Sequence, residues 1–162
     1  MCIITEHAKA LRRLKELEAG EFYETQQPVS TKQIESSDLY KLLREYLPKA
    51  EINLSENYRR LCNSNDIAVF LAQDQTNKID YVSDRPDISS YDCNVFANRL
   101  MGQFSVPGWS DLCFGKVWLS SPAHALCCLI DEDQNFWWVE PQTDELLEWI
   151  TYQPNSVRFI EM

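Results

Sequence analysis

The sequence predicts an α+β fold, because helix-type spacing of apolar residues dominates the part before residue 105, and short apolar runs between polar turns dominate the part after it. A chain of 162 residues is long enough to bury its own core. We expect a single domain over residues 1–162, with a helical N-terminal part over residues 1–50. The core that carries the chemistry is expected over residues 62–162.

Four segments are predicted to be helices, because apolar residues recur in them at intervals of three or four and turn-forming residues bound them. They cover residues 5–19, 36–47, 66–73 and 93–104. We expect Ser36 or Ser37 to cap the second helix and Asn65 or Ser64 to cap the third. In the third segment, a buried strand over residues 67–71 stays an alternative. A short helical turn is expected within residues 53–62, and a short strand over residues 79–82.

Four strands are predicted after residue 107, where apolar runs alternate with polar turns. They cover residues 112–119, 124–130, 136–140 and 157–160. Residues 131–135 are all Asp, Glu, Gln or Asn, a composition typical of a hairpin turn. The four strands are therefore expected to form an antiparallel sheet, with the helix over residues 93–104 packed on it. Residues 144–150 are expected to form a helical turn or an irregular segment.

Charge restricts the partners that this chain can bind. Fifteen Lys and Arg against twenty-five Asp and Glu give a formal net charge of −10 and a pI near 4.6. Such a chain is poorly suited to nucleic-acid phosphates or anionic membranes. It has neither an apolar run of about 18 residues, as a membrane span requires, nor the pattern of a signal peptide. We therefore expect a cytoplasmic protein whose six cysteines are mainly reduced core thiols.

Three residues, Cys93, His124 and Glu140, form a pattern that carries chemistry. Cys93 begins the fourth predicted helix, His124 begins the second strand, and Glu140 ends the third strand. A helix N-terminus or a neighbouring imidazolium lowers the pKa of a thiol and so favours the nucleophilic thiolate. His124 would take the thiol proton and return it to a leaving group. Glu140 would fix the orientation and tautomer of the imidazole, with Gln142 as the alternative.

The segments around these residues resemble papain-like and transglutaminase-like cysteine proteins. The run Tyr91-Asp92-Cys93-x-x-Phe96-Ala97-x-x-Leu100 is similar to their nucleophile helix, and Trp138-Val139-Glu140-Pro141-Gln142-Thr143 is similar to the hairpin with the orienting residue. A Cys-His-Glu set resembles the C-terminal protease domain of the Marasmius oreades agglutinin. Small phage and bacterial proteins with an Asp-Cys-Asp-Asp-Phe-Ala motif are also similar. The resemblance covers residues 62–145.

The resemblance implies a papain-like or transglutaminase-like fold and a cysteine hydrolase, either a peptidase or an amidase or acyltransferase, that acts on a protein or peptide. By order along the chain alone, Gln73 or Gln75 is the candidate for an oxyanion contact. Trp138, which could line a substrate groove if exposed, and Gln142 are further candidates for substrate or oxyanion contacts. The alternative is an inactive scaffold, of the phage-encoded kind, that binds or inhibits a host protein. That alternative is compatible with Asn94 and Val95, which stand where those relatives carry acids.

The resemblance leaves the need for a metal open. No cofactor is required by a Cys-His-Glu mechanism, but the agglutinin protease depends on calcium, and Asp92 and Glu140 are the calcium candidates that remain. Two further metal sites are minority interpretations: calcium in the acidic turn over residues 131–133, and a zinc site. The zinc ligands would be Cys93, Cys113, His124 and Cys127.

Overall fold

The computed structural model describes residues 27–83 and 90–162, so the helix predicted over residues 5–19 lies outside the described residues. In the described part, the α-helices are α1 (Ser36–Tyr46), α2 (Ser64–Gln73) and α3 (Cys93–Gln103). The first four strands are β1 (Gln33–Glu35), β2 (Glu51–Asn53), β3 (Tyr58–Arg60) and β4 (Phe114–Ser120). The others are β5 (Ala123–Ile130), β6 (Phe136–Glu140), β7 (Glu145–Glu148) and β8 (Val157–Glu161). None of the helices in these two ranges is both long enough and apolar enough to cross a bilayer.

The main sheet has six strands in the order β2-β8-β4-β5-β6-β7, and β1 pairs with β3 in a separate two-stranded ribbon. The α+β class is therefore confirmed. The expectation of a purely antiparallel sheet is wrong in one pair, because β8 runs parallel to the edge strand β2. The other neighbouring strands in the main sheet are antiparallel. The chain thus returns its C-terminal strand to the middle of the sheet, next to β4.

Strand β5 lies at the centre of the core and is buried from Ala125 to its end. Its adjacent Cys127 and Cys128 point to opposite faces of the sheet, yet both are fully buried. Helix α3 covers one of these faces, where the Cys127 thiol donates to the Ala97 carbonyl at 3.5 Å. Burial raises the pKa of both thiols above the usual range, and it raises the pKa of Cys113 to about 12. These cysteines are core residues, as the sequence predicts.

Local periodicity gave the wrong structure for several short segments that pair in the fold. The predicted helical turn within residues 53–62 is wrong, because β3 forms there and pairs with β1. A helical turn or an irregular segment was predicted over residues 144–150. That prediction is wrong over Glu145–Glu148, which form β7 and pair with β6. Within residues 79–82, only Val82 pairs, in an isolated bridge to Tyr91. Hydrogen bonds to a partner outside the segment stabilise these short strands, and the strand residues alone give little signal of them.

Helices α1 and α2 form where they are predicted, but their caps differ. Residue Asn63 caps α2, and its side chain accepts from the backbone of Asn65 at 3.1 Å and of Asp66 at 3.4 Å. That helix excludes the alternative of a buried strand. Helix α1 begins after Glu35, which makes no capping hydrogen bond with its side chain. Four consecutive polar residues stand around the start of α2, so the spacing of the apolar residues does not identify which of them is the cap.

Candidate active site

Cys93 is the first residue of α3, and the residue before it prepares this end of the helix. The Asp92 carboxylate accepts from the backbone N–H of Asn94 at 3.1 Å and of Val95 at 3.4 Å. Asp92 is therefore the N-terminal cap of α3. The helix dipole favours negative charge at Cys93 Sγ. Cys93 is partly exposed, whereas Cys62 and the other described thiols are buried.

His124 and Glu140 are joined by a short hydrogen bond between the imidazole Nε2 and the carboxylate Oε2, at 2.7 Å. Antiparallel pairing of β5 with β6 brings the start of one strand to the end of the other. The side chains are only 19% and 12% exposed, so solvent screens this bond weakly. The carboxylate accepts, so Nε2 carries the proton and Nδ1 is left with its lone pair. That tautomer is the one a general base needs.

Gln142 holds Glu140 in place. Its backbone N–H and its side-chain Nε2 both donate to Glu140 Oε1, at 3.2 and 3.4 Å. The backbone carbonyl of Glu140 accepts from Asp144 at 2.9 Å and from Thr143 at 3.3 Å, which closes the turn between β6 and β7. Gln142 thus supports the orienting carboxylate, and no contact assigns it to an oxyanion.

Cys93 and His124 line the same shallow cleft, of about 270 Å³. In the described part of the chain, no hydrogen bond joins Cys93 Sγ to His124, and the Cys93 backbone N–H has no acceptor. A loose nucleophile–base pair is common in enzymes without substrate. The free N–H is a donor at the position where charge develops when the thiolate attacks a carbonyl. The cleft thus contains a thiol, an imidazole and a free backbone N–H, the groups that a cysteine hydrolase would need.

Comparisons with known proteins identify the fold and no more. No protein-family model and no curated protein matches the chain. The solved structures that are similar include a complex of PSL1a with E64, at a TM-score of 0.64 and 16% identity over 80% of this chain and 50% of that one. Another is the Polyporus squamosus lectin bound to a human-type influenza-binding epitope, at 0.61 and 15% over 80% and 49% of the two chains. The chain spans about half the length of these proteins.

Two further residues of the cleft carry no signal in the local sequence pattern. Trp118 on β4 is 39% exposed and lines the cleft. Arg158 on β8 is exposed and also lines the cleft, and its guanidinium has no ion-pair partner among the residues described. Both reach the cleft because β8 pairs with β4. That pairing joins segments about forty residues apart, and no local motif indicates it.

Tyr152 is a third residue that local patterns did not single out. Its ring centroid lies 6.4 Å from that of His124, and its ring packs edge-on against Trp138. Burial raises the pKa of its hydroxyl, and the negative charges of Glu140 and Glu145 raise it further. The phenol next to the His124 imidazole therefore stays neutral to a higher pH than a free tyrosine does.

Two of the predicted substrate or oxyanion residues are not in the cleft. Trp138 is fully buried and donates its indole N–H to the Trp149 carbonyl at 2.9 Å, so the prediction of a substrate contact is wrong. It faces the core because the alternation along β6 turns Trp137, and not Trp138, towards the surface. Gln73 is the last residue of α2, and it is not among the described residues that line the cleft. The order along the chain did not bring it to Cys93.

The metal sites that the sequence suggested do not fit this arrangement. Both Glu140 oxygens already accept hydrogen bonds, and the Asp92 carboxylate caps α3. In the acidic turn, both Asp131 oxygens accept from the turn backbone and from neighbouring side chains. No group of three or more His, Cys, Asp or Glu residues in the described ranges could hold a metal. The same finding leaves the predicted zinc site of Cys93, Cys113, His124 and Cys127 without support.

Proposed function

We propose that this protein is a cysteine hydrolase with a papain-like or transglutaminase-like core, and that Cys93, His124 and Glu140 form its catalytic triad. The observation that carries the proposal is the 2.7 Å bond from His124 Nε2 to Glu140, made beside a cleft that also contains a thiol at a helix N-terminus. The imidazole is thereby held with Nδ1 as its proton acceptor. The fold similarity to the PSL1a complex with E64 supports the proposal.

The reaction follows from these groups. His124 Nδ1 takes the Cys93 proton, and the thiolate attacks the carbonyl carbon of an amide. Negative charge moves to the carbonyl oxygen, where the Cys93 backbone N–H donates to it. The imidazolium then protonates the leaving nitrogen, and the C–N bond breaks to leave a thioester. Water attacks the thioester as His124 takes its proton, the C–S bond breaks, and the thiol is restored.

Glu140 contributes in two ways. Its carboxylate stabilises the imidazolium that forms when the thiol loses its proton, and it prevents the ring from rotating. Gln142 limits the motion of that carboxylate through two donors to Oε1. At the rim of the cleft, Arg158 and Trp118 offer a cation and an apolar surface. Such a pair favours a peptide substrate with an acidic side chain close to the scissile bond.

The first experiment measures covalent labelling of the thiols by E64, whose epoxide ring is opened when a thiolate attacks it. Peptide mass spectrometry reads the label at each cysteine, in the wild type and in Cys93→Ala and His124→Ala. His7→Ala is the matched control, since His7 is the other of the two histidines in the sequence. We expect labelling at Cys93 that His124→Ala slows and His7→Ala leaves unchanged. Equal labelling of all accessible thiols would contradict the proposal.

A binding module built on the same scaffold is the alternative. The replacement of two acids by Asn94 and Val95 after the nucleophile is the sequence feature compatible with it. It predicts a stable complex with a partner protein that Cys93→Ser leaves intact. It also predicts that a peptide library shows no cleavage by the wild type.

A further inference from the structure

A row of side chains crosses the sheet from the candidate active site to the edge strand β2. Strand pairing places Trp118 on β4 opposite both Ala125 on β5 and Phe159 on β8. Phe159 is in turn opposite Glu51 on β2. The ring centroids of Trp118 and Phe159 are 6.1 Å apart, so both rings lie on the same face. Neighbouring strands are about 4.8 Å apart, so the three steps from β5 to β2 make the row about 14 Å long.

A second cavity lies on this face, next to the cleft that contains Cys93. Helix α3 packs on the same face against β5 and β4, and within residues 27–83 and 90–162 no helix packs comparably against β8. Over β8 there is instead a cavity of about 420 Å³, lined by residues of β2, β4 and β8. It shares Trp118 and Arg158 with the cleft. The cleft and the cavity therefore meet at these two side chains and form one groove.

A bulge in β8 places Arg158 where the cleft and the cavity meet. Trp118 pairs with Phe159, but the next residue of β4, Leu119, pairs with Val157. Arg158 therefore has no partner residue on β4. An extra residue of this kind re-aims a side chain, and such bulges are common next to active sites. Arg158 is exposed, and among the described residues its guanidinium has neither an ion-pair nor a hydrogen-bond partner, so its charge is free to bind a ligand.

The other charges that line the cavity differ in whether they are paired. Lys116 Nζ donates to Asn98 Oδ1 at 2.6 Å and lies 3.8 Å from the Glu161 carboxylate, so the charges of Lys116 and Glu161 compensate each other. Glu51, at the far end of the row, is exposed and makes no ion pair with any residue that the structure describes. The groove thus has a free cation near Cys93, an aromatic pair in the middle and a free anion at the edge of the sheet.

We propose that this groove binds an extended peptide substrate in which an acidic, an apolar and a basic side chain occupy alternate positions beside the scissile bond. Alternate side chains of an extended peptide point to the same side, and each residue adds about 3.3 Å. Three such side chains span about 13 Å, which matches the length of the row. Arg158 pairs with the acid, the Trp118 and Phe159 rings pack against the apolar side chain, and Glu51 pairs with the base. This inference rests on the proposed function, because it places the scissile bond at Cys93.

The test measures binding of capped five-residue peptides to the full chain with Cys93→Ala, by NMR titration, because this variant has no thiol with which to cleave them. The reference peptide has Glu, Phe and Lys at its first, third and fifth positions with Ala between them, and a second peptide has the reverse order. In the comparison peptides, Gln replaces Glu, Ala replaces Phe, or Gln replaces Lys. In the better of the two directions, we expect loss of Phe to weaken binding about tenfold, and loss of either charge to weaken it roughly threefold.

Charge reversal at the edge of the sheet tests the far end of the groove. Glu51→Lys should weaken binding of the reference peptide about fivefold, and a peptide with Glu in place of Lys should restore it. Glu148→Lys is the matched control, because Glu148 is an exposed acid on β7, the strand at the opposite edge of the sheet. It should leave binding unchanged. Equal affinity for all the peptides, or a Glu51→Lys variant that binds as Glu148→Lys does, would overturn the proposal.

The outcome separates the groove from the triad, because binding to Cys93→Ala does not depend on thiol chemistry. Labelling of Cys93 by E64 in a protein that does not discriminate between the peptides would refute the groove alone. Discrimination between the peptides in a protein whose Cys93 is not labelled would refute the triad and the position of the scissile bond, and would leave a peptide-binding groove.

Discussion

Replacement of Glu140 by Gln tests whether the carboxylate activates His124. The substitution keeps the length of the side chain and removes its charge, at a bond of 2.7 Å between groups that are 12% and 19% exposed. A hydrogen bond to a charged group contributes about 1.5–3 kcal/mol. Since about 1.4 kcal/mol is a factor of ten in rate, we expect labelling of Cys93 to slow roughly 10- to 150-fold.

A second effect of Glu140→Gln acts in the same direction. A Gln amide can turn its NH₂ group to His124 Nε2 and so move the imidazole proton to Nδ1. The ring then presents an N–H to the thiol and cannot take its proton. Because the His124 and Glu140 side chains are largely buried, we expect the loss of labelling rate to lie near the upper end of that range. The fold should be unaffected, because Gln occupies nearly the same volume.

The assay is the second-order rate constant for epoxide labelling of Cys93, with Tm and circular dichroism as the test of folding. Gln142→Ala is the graded comparison, since it removes one of the two donors to Glu140 Oε1 and keeps the backbone donor. It should slow labelling less than Glu140→Gln does. An unchanged rate in a folded Glu140→Gln protein would refute the assignment of Glu140 as the orienting residue.

Four further predictions rest on the described contacts. Iodoacetamide at neutral pH should label Cys93 and leave Cys113 unlabelled until denaturant is added, because burial raises the pKa of the Cys113 thiol to about 12. For the same reason, the unfolded state binds fewer protons than the folded state between about pH 8.5 and 12, so the free energy of unfolding should fall across that range. Gly115→Ala should lower the Tm by roughly 5–10 °C, because its Cβ would collide with the Glu161 backbone of β8; an unchanged Tm would contradict the tight β4–β8 pairing. Arg158→Glu should reverse a preference for acidic peptides in a substrate library, and an identical cleavage profile would exclude Arg158 from substrate binding.

The sequence predicted best where local chemistry and local structure coincide. Helix α3 could be placed because apolar residues recur at helical spacing within one short segment, and Asp92 caps it. The approach of His124 to Glu140 was predictable because a polar turn between two apolar runs predicts a hairpin. Hairpin geometry brings the start of one strand beside the end of the next. A single hairpin separates His124 from Glu140, so their approach follows from a local sequence pattern.

The rest of the cleft depends on pairing that no local pattern encodes. Arg158 and Trp118 meet there because β8 inserts between β2 and β4, and the same insertion makes the sheet mixed. A strand's partner is chosen by the burial of whole faces, so it depends on residues far along the chain. Trp138 shows the converse error. Trp138 was expected to contact the substrate. Side chains alternate between the two faces of β6, and this alternation directs Trp138 into the core.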